Sequence, residues 1–293
     1  MRYAWIKDHA GNYPVAILCR VLQVSVSGYY DWVRRKPSAR QRRREQIAAA
    51  ARKSYQDSNG IYGYRKVHKD VVQEAKIDCC LETVRRVLAE KGLFSRVKRR
   101  FVVTTDSNHN QPVADNLLDR DFTASAPNRK WTADITYIPT GEGWLYLSAV
   151  MDLYSRRIVG WSMSANIDAE LVCDALRMAL LQRKPNDGLM HHSDRGVQYT
   201  AGDFVDLLDE HKIVCSMSRK GDCWDNAVME SFFGSLKTEW TFDKSYETRA
   251  EGIQDVFKYI EVFYNRKRRH ASMGYVSPAE YEQLYEATVT QAA

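Results

Sequence analysis

Trp131-Thr-Ala-Asp-Ile-Thr-Tyr-Ile138 is dense in aromatic and β-branched side chains and has no glycine or proline inside it, so Lys130 to Pro139 is predicted to be a β-strand. It opens a stretch in which the pattern alternates. Trp144 to Leu153 and Ile158 to Ser164 read as two more strands, tightly connected at Ser155-Arg156-Arg157. Asp168 to Arg183 reads as a helix, Leu189 to Ser193 as a strand, Ala201 to His211 as a helix and Ile213 to Met217 as a strand. Asn226 to Thr241 follows as a helix, with Asp225 as its candidate N-cap.

Three antiparallel strands followed by two helix-separated strands imply an α/β fold. Its mixed five-stranded sheet with helices has the ordering of a ribonuclease-H-like core. Three carboxylates fall at telling places on it: Asp134 on the first strand, Asp194 at the C-terminal end of the fourth, and Glu230 about one turn into the helix after the fifth. Asp134 and Asp194 are separated by 59 residues and Asp194 and Glu230 by 35, but 37 acidic residues in 293 make any single spacing uninformative. The strand-end and helix-face contexts carry the expectation that the three converge. Hard oxygen donors with open positions favour Mg²⁺ or Mn²⁺. Two such ions suit an in-line displacement at phosphorus, with Asp134 bridging both. A lone strand aspartate is usually hydrogen-bonded and inert, so the expectation rests on all three together.

Around Glu230, Asn226 and Lys237 lie near the glutamate's side of the helix and are candidate phosphate-binding groups. Arg195, next to Asp194, is a further candidate. The loop Arg219-Lys-Gly-Asp-Cys-Trp-Asp225 either orders on DNA or is an ordinary solvated loop. Ile253 to Tyr264 reads as a helix with Ile253, Val256, Phe257 and Ile260 on one face. It runs into Tyr264-Asn-Arg-Lys-Arg-Arg-His270, where Arg266, Lys267, Arg268, Arg269 and His270 form either a phosphate track or a solvated helix end.

The net charge of +6 hides an asymmetry: residues 1–100 carry 23 Lys and Arg against 9 Asp and Glu, whereas the remainder is mildly acidic. A basic front third suggests a polyanion-binding module. Pro14 to Leu22 and Ser27 to Val33 outline a helix-turn-helix, or a helical hairpin that merely packs. Residues 34–44 hold seven cations and no anion, and Tyr62 to Glu74 with Leu81 to Lys91 form a second helical pair stopped by Gly92. Arg96-Val-Lys-Arg-Arg100 adds a cationic cluster. The chain thus divides into a basic helical DNA-binding region (1–100), a linker (101–128), the catalytic core (129–245) and a basic helical extension (246–293). Six scattered cysteines write neither a disulfide framework nor a zinc knuckle. The absence of an apolar span or secretory pattern leads to an expected cytoplasmic, nucleoid-associated location.

Five ordered blocks carry a family likeness: Trp131-Thr-Ala-Asp-Ile-Thr-Tyr, Asp152-Leu-Tyr-Ser-Arg-Arg-Ile-Val-Gly160, His192-Ser-Asp-Arg-Gly-Val-Gln-Tyr199, Asp225-Asn-Ala-Val-Met-Glu-Ser-Phe-Phe233 and Tyr264-Asn-Arg-Lys-Arg-Arg-His270. They resemble the blocks of bacterial insertion-sequence transposases of the retroviral-integrase-like superfamily, above all the catalytic OrfB-type subunit of the insertion-sequence-three family. Gly63-Tyr-Arg-Lys-Val-His68 resembles that family's upstream helix-turn-helix region. The resemblance implies a DDE transposase that uses Mg²⁺ to nick element ends and join a 3′-hydroxyl to target DNA, with its triad on Asp134, Asp194 and Glu230. It also implies an OrfA-type partner protein, often fused by ribosomal frameshifting, and no leucine-heptad segment is found here. The His-His-Cys-Cys zinc module of retroviral integrases is absent. Holding two DNA ends together calls for a multimer on element-end and target DNA. The rivals are a ribonuclease-H-like nuclease that does not join strands and a catalytically decayed DNA-binding regulator.

Overall fold

The computed structural model of the chain describes residues 1–95, 114–219 and 223–292. Its centre is β1 (Lys130–Thr140), which pairs antiparallel with β2 (Gly143–Asp152) along its whole length and parallel with β4 (Met190–Ser193) at its start. With β3 (Ile158–Ser164) beyond β2 and β5 (Val214–Met217) beyond β4, the order is β3-β2-β1-β4-β5. The five expected strands and their mixed pairing are therefore all present. A central strand has both faces covered, and β1 buries Trp131 and Ala133 on one side and Ile138 on the other.

Those faces meet different helices. On the first, Trp131, Ala133, Val150 and Val159 pack against α7 (Ala169–Arg183) and α8 (Gly202–Glu210). On the second, Ile138, Leu145 and Leu147 pack against α9 (Ala227–Ser235) and α10 (Arg249–Phe257). Asp168 caps α7 by accepting from Leu171 N at 3.0 Å. Both α9 and α10 continue into π-helical turns, over Leu236–Thr241 and Lys258–Tyr264. The wider i→i+5 turn shifts the phase of the buried stripe. Val256 and Ile260 are buried as the periodicity predicts, but Ile253 and Phe257 are exposed, and Tyr259, Phe263 and Tyr264 are buried in their stead. The C-terminal α11 (Pro278–Ala292) is tied to the sheet by Glu282, which accepts from Arg157, Arg183 and Ser155.

The front of the chain falls into two helical groups. α1 (Arg2–His9), α2 (Val15–Val21) and α3 (Val26–Arg34) share a small core of Ile6, Leu18, Cys19 and Tyr29. α2 and α3 are the expected pair, with Ser25 capping α3; α1 had no sequence signal. α4 (Ala39–Asp57) begins inside the cationic run, because Ser38 accepts from Gln41 N at 3.1 Å and Ile47, Ala51 and Ser54 supply a buried face. α5 (Tyr64–Gln73) and α6 (Leu81–Glu90) complete the second group. The buried residues of α4, α5 and α6 belong to the same hydrophobic cluster as Phe232, Phe263 and the second face of the sheet. Polar contacts reinforce the joint: Tyr62 donates its hydroxyl to Lys267 O at 2.8 Å and accepts from Arg269 N at 3.0 Å. The cationic cluster at residues 96–100 and the first part of the expected linker, to residue 113, lie outside the described residues. Among the described residues no helix is long and apolar enough to cross a membrane.

Gly160 lets α7 approach β3. A Cβ there would stand 2.2 Å from Ala175 O and 2.7 Å from Ala179 N, both on a packed helix backbone, and 2.7 Å from the Ala179 Cβ. Gly160→Ala is expected to destabilise the fold by about 3 kcal/mol, read as a lowered urea midpoint; an unchanged midpoint would contradict this packing.

Candidate active site

The pairing of β1 with β4 sets the geometry around Asp134. Residue 130 faces 190, 131 faces 191 and 132 faces 192. Continued past the last pair, the same step aligns Asp134 with Asp194, and aligned residues of parallel strands project from one face. β4 has ended by then. Ser193 O accepts from Ser218 N at 2.9 Å, and the chain turns with Gly196 N donating to Asp194 Oδ1 at 3.0 Å. Asp134 Oδ1 accepts from Ile135 N at 2.7 Å. Both aspartates are half-buried.

Glu230 lies in the first turn of α9, which covers this same face, and is exposed. Directly before α9, a short 3₁₀ turn over Cys223–Asn226 places two buried polar residues. The spacing predicted Asn226 as a phosphate-binding group; its side chain instead crosses to β1, accepting from Thr132 Oγ1 at 2.7 Å and donating to Ala133 O at 3.1 Å. Asp225 does not cap the helix either. It is 1 % exposed, and its carboxylate accepts from Asn116 Nδ2 at 2.8 Å, Arg120 Nε at 2.9 Å, and the Arg219 backbone and guanidinium at 2.8–3.0 Å. The bonds from Arg219, more than those from Arg120, hold its carboxyl well below the usual carboxylate range. His192, two residues before Asp194, bridges Ser216 Oγ at 2.9 Å and Ser218 Oγ at 3.1 Å, and burial lowers its pKa to about 4. It is a neutral strut at neutral pH.

The carboxylates differ electrostatically. Burial raises the Asp134 carboxyl well above its ordinary value, the charge of Asp194 raises it further and that of Glu230 adds less, against lowering by the Ile135 N–H and by Lys237. Burial alone raises Glu230. Burial lowers the Lys237 ammonium, and the charge of Asp134 counteracts it; its Nζ lies 4.5 Å from the Tyr137 ring centroid. Among the described residues no three His, Cys, Asp or Glu side chains are gathered tightly enough to hold one ion. The charge of Asp194 thus acts on Asp134 more strongly than that of Glu230.

The remaining candidate contacts divide. Arg195 donates from Nε to Ser218 O at 2.6 Å. Arg266 and Lys267 are exposed. Arg268 instead grips Glu239 through two bonds of 2.6 Å, and Arg269, 8 % exposed, holds Asp70 at 2.6 Å, Gln73 at 3.0 Å and Glu74 at 2.9 Å. Burial, then the charges of Arg268, Lys66 and Arg156, push the His270 pKa down to about 2, so it brings no charge to a phosphate. The expected track of five thus reduces to two exposed cations, because Arg269 joins the helical group to the core while Arg268 and His270 are engaged within the core itself. Arg219 in the loop before α9 is held by Asp225, and residues 220–222 lie outside the described residues. The Asn116, Arg120 and Arg219 bonds to Asp225 had no signal in local spacing, since Asn116 and Arg120 arrive from the expected linker.

The family described as Integrase core domain matches residues 124–223 and again residues 230–284, and an HTH-like domain matches residues 41–101. The HTH-like match covers α4 to α6, including the Gly63–His68 stretch that resembles the family's helix-turn-helix region, and not the α2–α3 pair. The Transposase InsF for insertion sequence IS3A of Escherichia coli (strain K12) is 41% identical over 284 residues, covering 96% of this chain and 98% of that protein. The Insertion element IS600 uncharacterized 31 kDa protein of Shigella sonnei is 42% identical over 268 residues, covering 92% of this chain and 98% of that protein. Among solved structures, a simian T-cell lymphotropic virus intasome in complex with PP2A regulatory subunit B56 gamma matches at 11% identity and a TM-score of 0.46, covering 79% of this chain and 74% of that chain.

An aspartate whose carboxyl is raised on folding weakens the fold wherever it is ionised. Asp134→Asn keeps the acceptor for Ile135 N and removes the charge. It is expected to raise the denaturation midpoint at pH 8, with the gain shrinking as pH falls through the raised value and gone below the ordinary 3.8, where folded and unfolded wild type are both protonated. Chemical denaturation across that pH series checks this, and a midpoint that drops at pH 8 would contradict it.

Proposed function

This chain belongs to the IS3 family of insertion-sequence transposases, and we propose that Asp134, Asp194 and Glu230 are the metal-holding catalytic carboxylates of its DNA nicking and strand-transfer reaction. As a transposase with an integrase core domain, it is a polynucleotidyl transferase acting on DNA. The observation that carries the residue assignment is the β1–β4 register, whose continuation past Thr132 and His192 brings Asp134 level with Asp194, together with Glu230 in the first turn of α9. The donor set fits a hard divalent cation in its chemistry: all the donors are carboxylate oxygens, and Asp134 is raised by burial and then by the charges of the other two. Two Mg²⁺ or Mn²⁺ ions there would offset that repulsion and stabilise charge on the attacking and leaving oxygens of an in-line displacement at phosphorus.

The chain's own groups do the rest. Ile135 N orients the Asp134 carboxylate and Gly196 N orients that of Asp194. Lys237, whose charge is felt at Asp134, holds a non-bridging oxygen of the scissile phosphate. Arg266 and Lys267 track the DNA backbone outside the site, and Arg195 meets it beside Asp194. The basic helical groups of residues 1–100 bind the element end. Bringing two ends together takes a multimer, and an OrfA-type partner shares terminal-repeat recognition. Action on chromosomal and element DNA places the protein in the cytoplasm, at the nucleoid.

Strand joining of labelled element-end DNA with Mg²⁺, with and without the upstream partner, tests the assignment. Glu230→Gln is expected to lower joined product at least ~10²-fold, and a chelator to abolish it. Cleavage without joining would turn the reading towards a nuclease, and retained joining by Glu230→Gln would remove Glu230 from the triad.

A further inference from the structure

The β1–β4 ladder is cut short, and one side chain occupies the place where it stops. Arg129 O accepts from Met190 N at 3.0 Å, so the carbonyls of alternate residues from Arg129 onward face β4. Ala133 O faces that edge. In a continued ladder its donor would be the backbone N–H of Asp194. Its donor is instead Asn226 Nδ2, at 3.1 Å, while Asn226 Oδ1 accepts from Thr132 Oγ1 at 2.7 Å. Thr132 is 0 % exposed and Asn226 5 % exposed, so this pair of bonds is closed to solvent.

We propose that Asn226 is the positioning residue of the carboxylate site, and that its amide, seated on Thr132 and Ala133, sets both the separation of Asp134 from Asp194 and the seat of Glu230. By satisfying Ala133 O, Asn226 releases the Asp194 backbone to leave the sheet and enter the turn closed by Gly196 N. The same two bonds fasten the N-terminus of α9 to β1, with Glu230 in its first turn. Asn226 meets neither DNA nor cation, and acts through the residues it places. The inference rests on the metal-holding assignment of the three carboxylates.

The test uses the full-length chain and Mn²⁺ alone, with free Mn²⁺ followed by electron paramagnetic resonance. Outer partners that orient metal ligands are worth roughly 10- to 100-fold in metal affinity. Thr132→Val, which keeps the shape and removes the hydroxyl, and Asn226→Ala are expected to weaken Mn²⁺ binding in that range, while Thr132→Ser stays within twofold of wild type. Binding to a generic duplex across a salt series is expected to keep the wild-type affinity and slope in all three. Unfolding of Asn226→Ala alone leaves Thr132→Val against Thr132→Ser to decide. Mn²⁺ affinity unchanged in Thr132→Val overturns the proposal, as does a loss of duplex affinity without a loss of Mn²⁺ affinity, which would make Asn226 a DNA contact. Wild type that binds no Mn²⁺ would sink the metal assignment itself, a result distinct from either.

Discussion

Everything in the core hangs on one strand paired in two senses. β1 runs antiparallel to β2 for its full length and parallel to β4 for three residue pairs. The long antiparallel ladder anchors β1 deep in the sheet, and the short parallel one brings in the element that carries Asp194. Because parallel neighbours align their side chains face to face, the register delivers Asp194, in the turn directly after β4, level with Asp134, from which sequence separates it widely. Were the parallel ladder longer, Asp194 would be fixed as an ordinary strand residue; were it shorter, nothing would align it with Asp134. The open crevice at the C-terminal ends of such strands is where α/β sheets in general bind their ligands.

Helices then close the two sheet faces unequally. α7 approaches β3 across Gly160 and makes the first face a conventional apolar core. The second face is shared between α9, α10, their π-helical continuations and the α4–α6 group. Ion pairs at its margin are largely desolvated: Arg268 with Glu239 and Arg269 with Asp70 have side chains between 10% and 15% exposed. Pairs of that kind contribute little when intact, and removing one partner strands the other at a cost of about 3–5 kcal/mol. Arg269 with Asp70 crosses the joint between the helical group and the core, whereas Arg268 with Glu239 ties two segments of the core to each other.

The strands were legible because their signals are local. Trp131 to Ile138 and Ile158 to Ser164 declare themselves through β-branched and aromatic residues, and their predicted bounds match β1 and β3 closely. Asp134, Asp194 and Glu230 stood out by context. What escaped reading was set by tertiary partners. Asn226 and Asp225 have the composition of a helix start, yet each is drawn into a bond with a distant segment, Thr132 in one case and Arg120 in the other. Arg268 and Arg269 have the composition of a phosphate track, and only the acids at Glu239, Asp70 and Glu74, far away in sequence, reveal that they face inward. Cationic residues 40 and 42–44 gave no helical period, since the buried face of α4 begins beyond them at Ile47. The phase of Tyr259 and Phe263 was hidden by a π-helical turn, which a fixed period of 3.6 cannot represent.

The two helical groups at the front of the chain have opposite mechanical characters. α4, α5 and α6 share their interior with the sheet, so a phosphate gripped on their surface sits at a constant displacement from Asp134. α1, α2 and α3 keep an interior of their own and connect through residues 35–38, a stretch that spans at most about 14 Å when extended. The molecule is therefore built like a caliper: one jaw is cast in a piece with the edge that carries Asp134, and the other hangs on a four-residue tether.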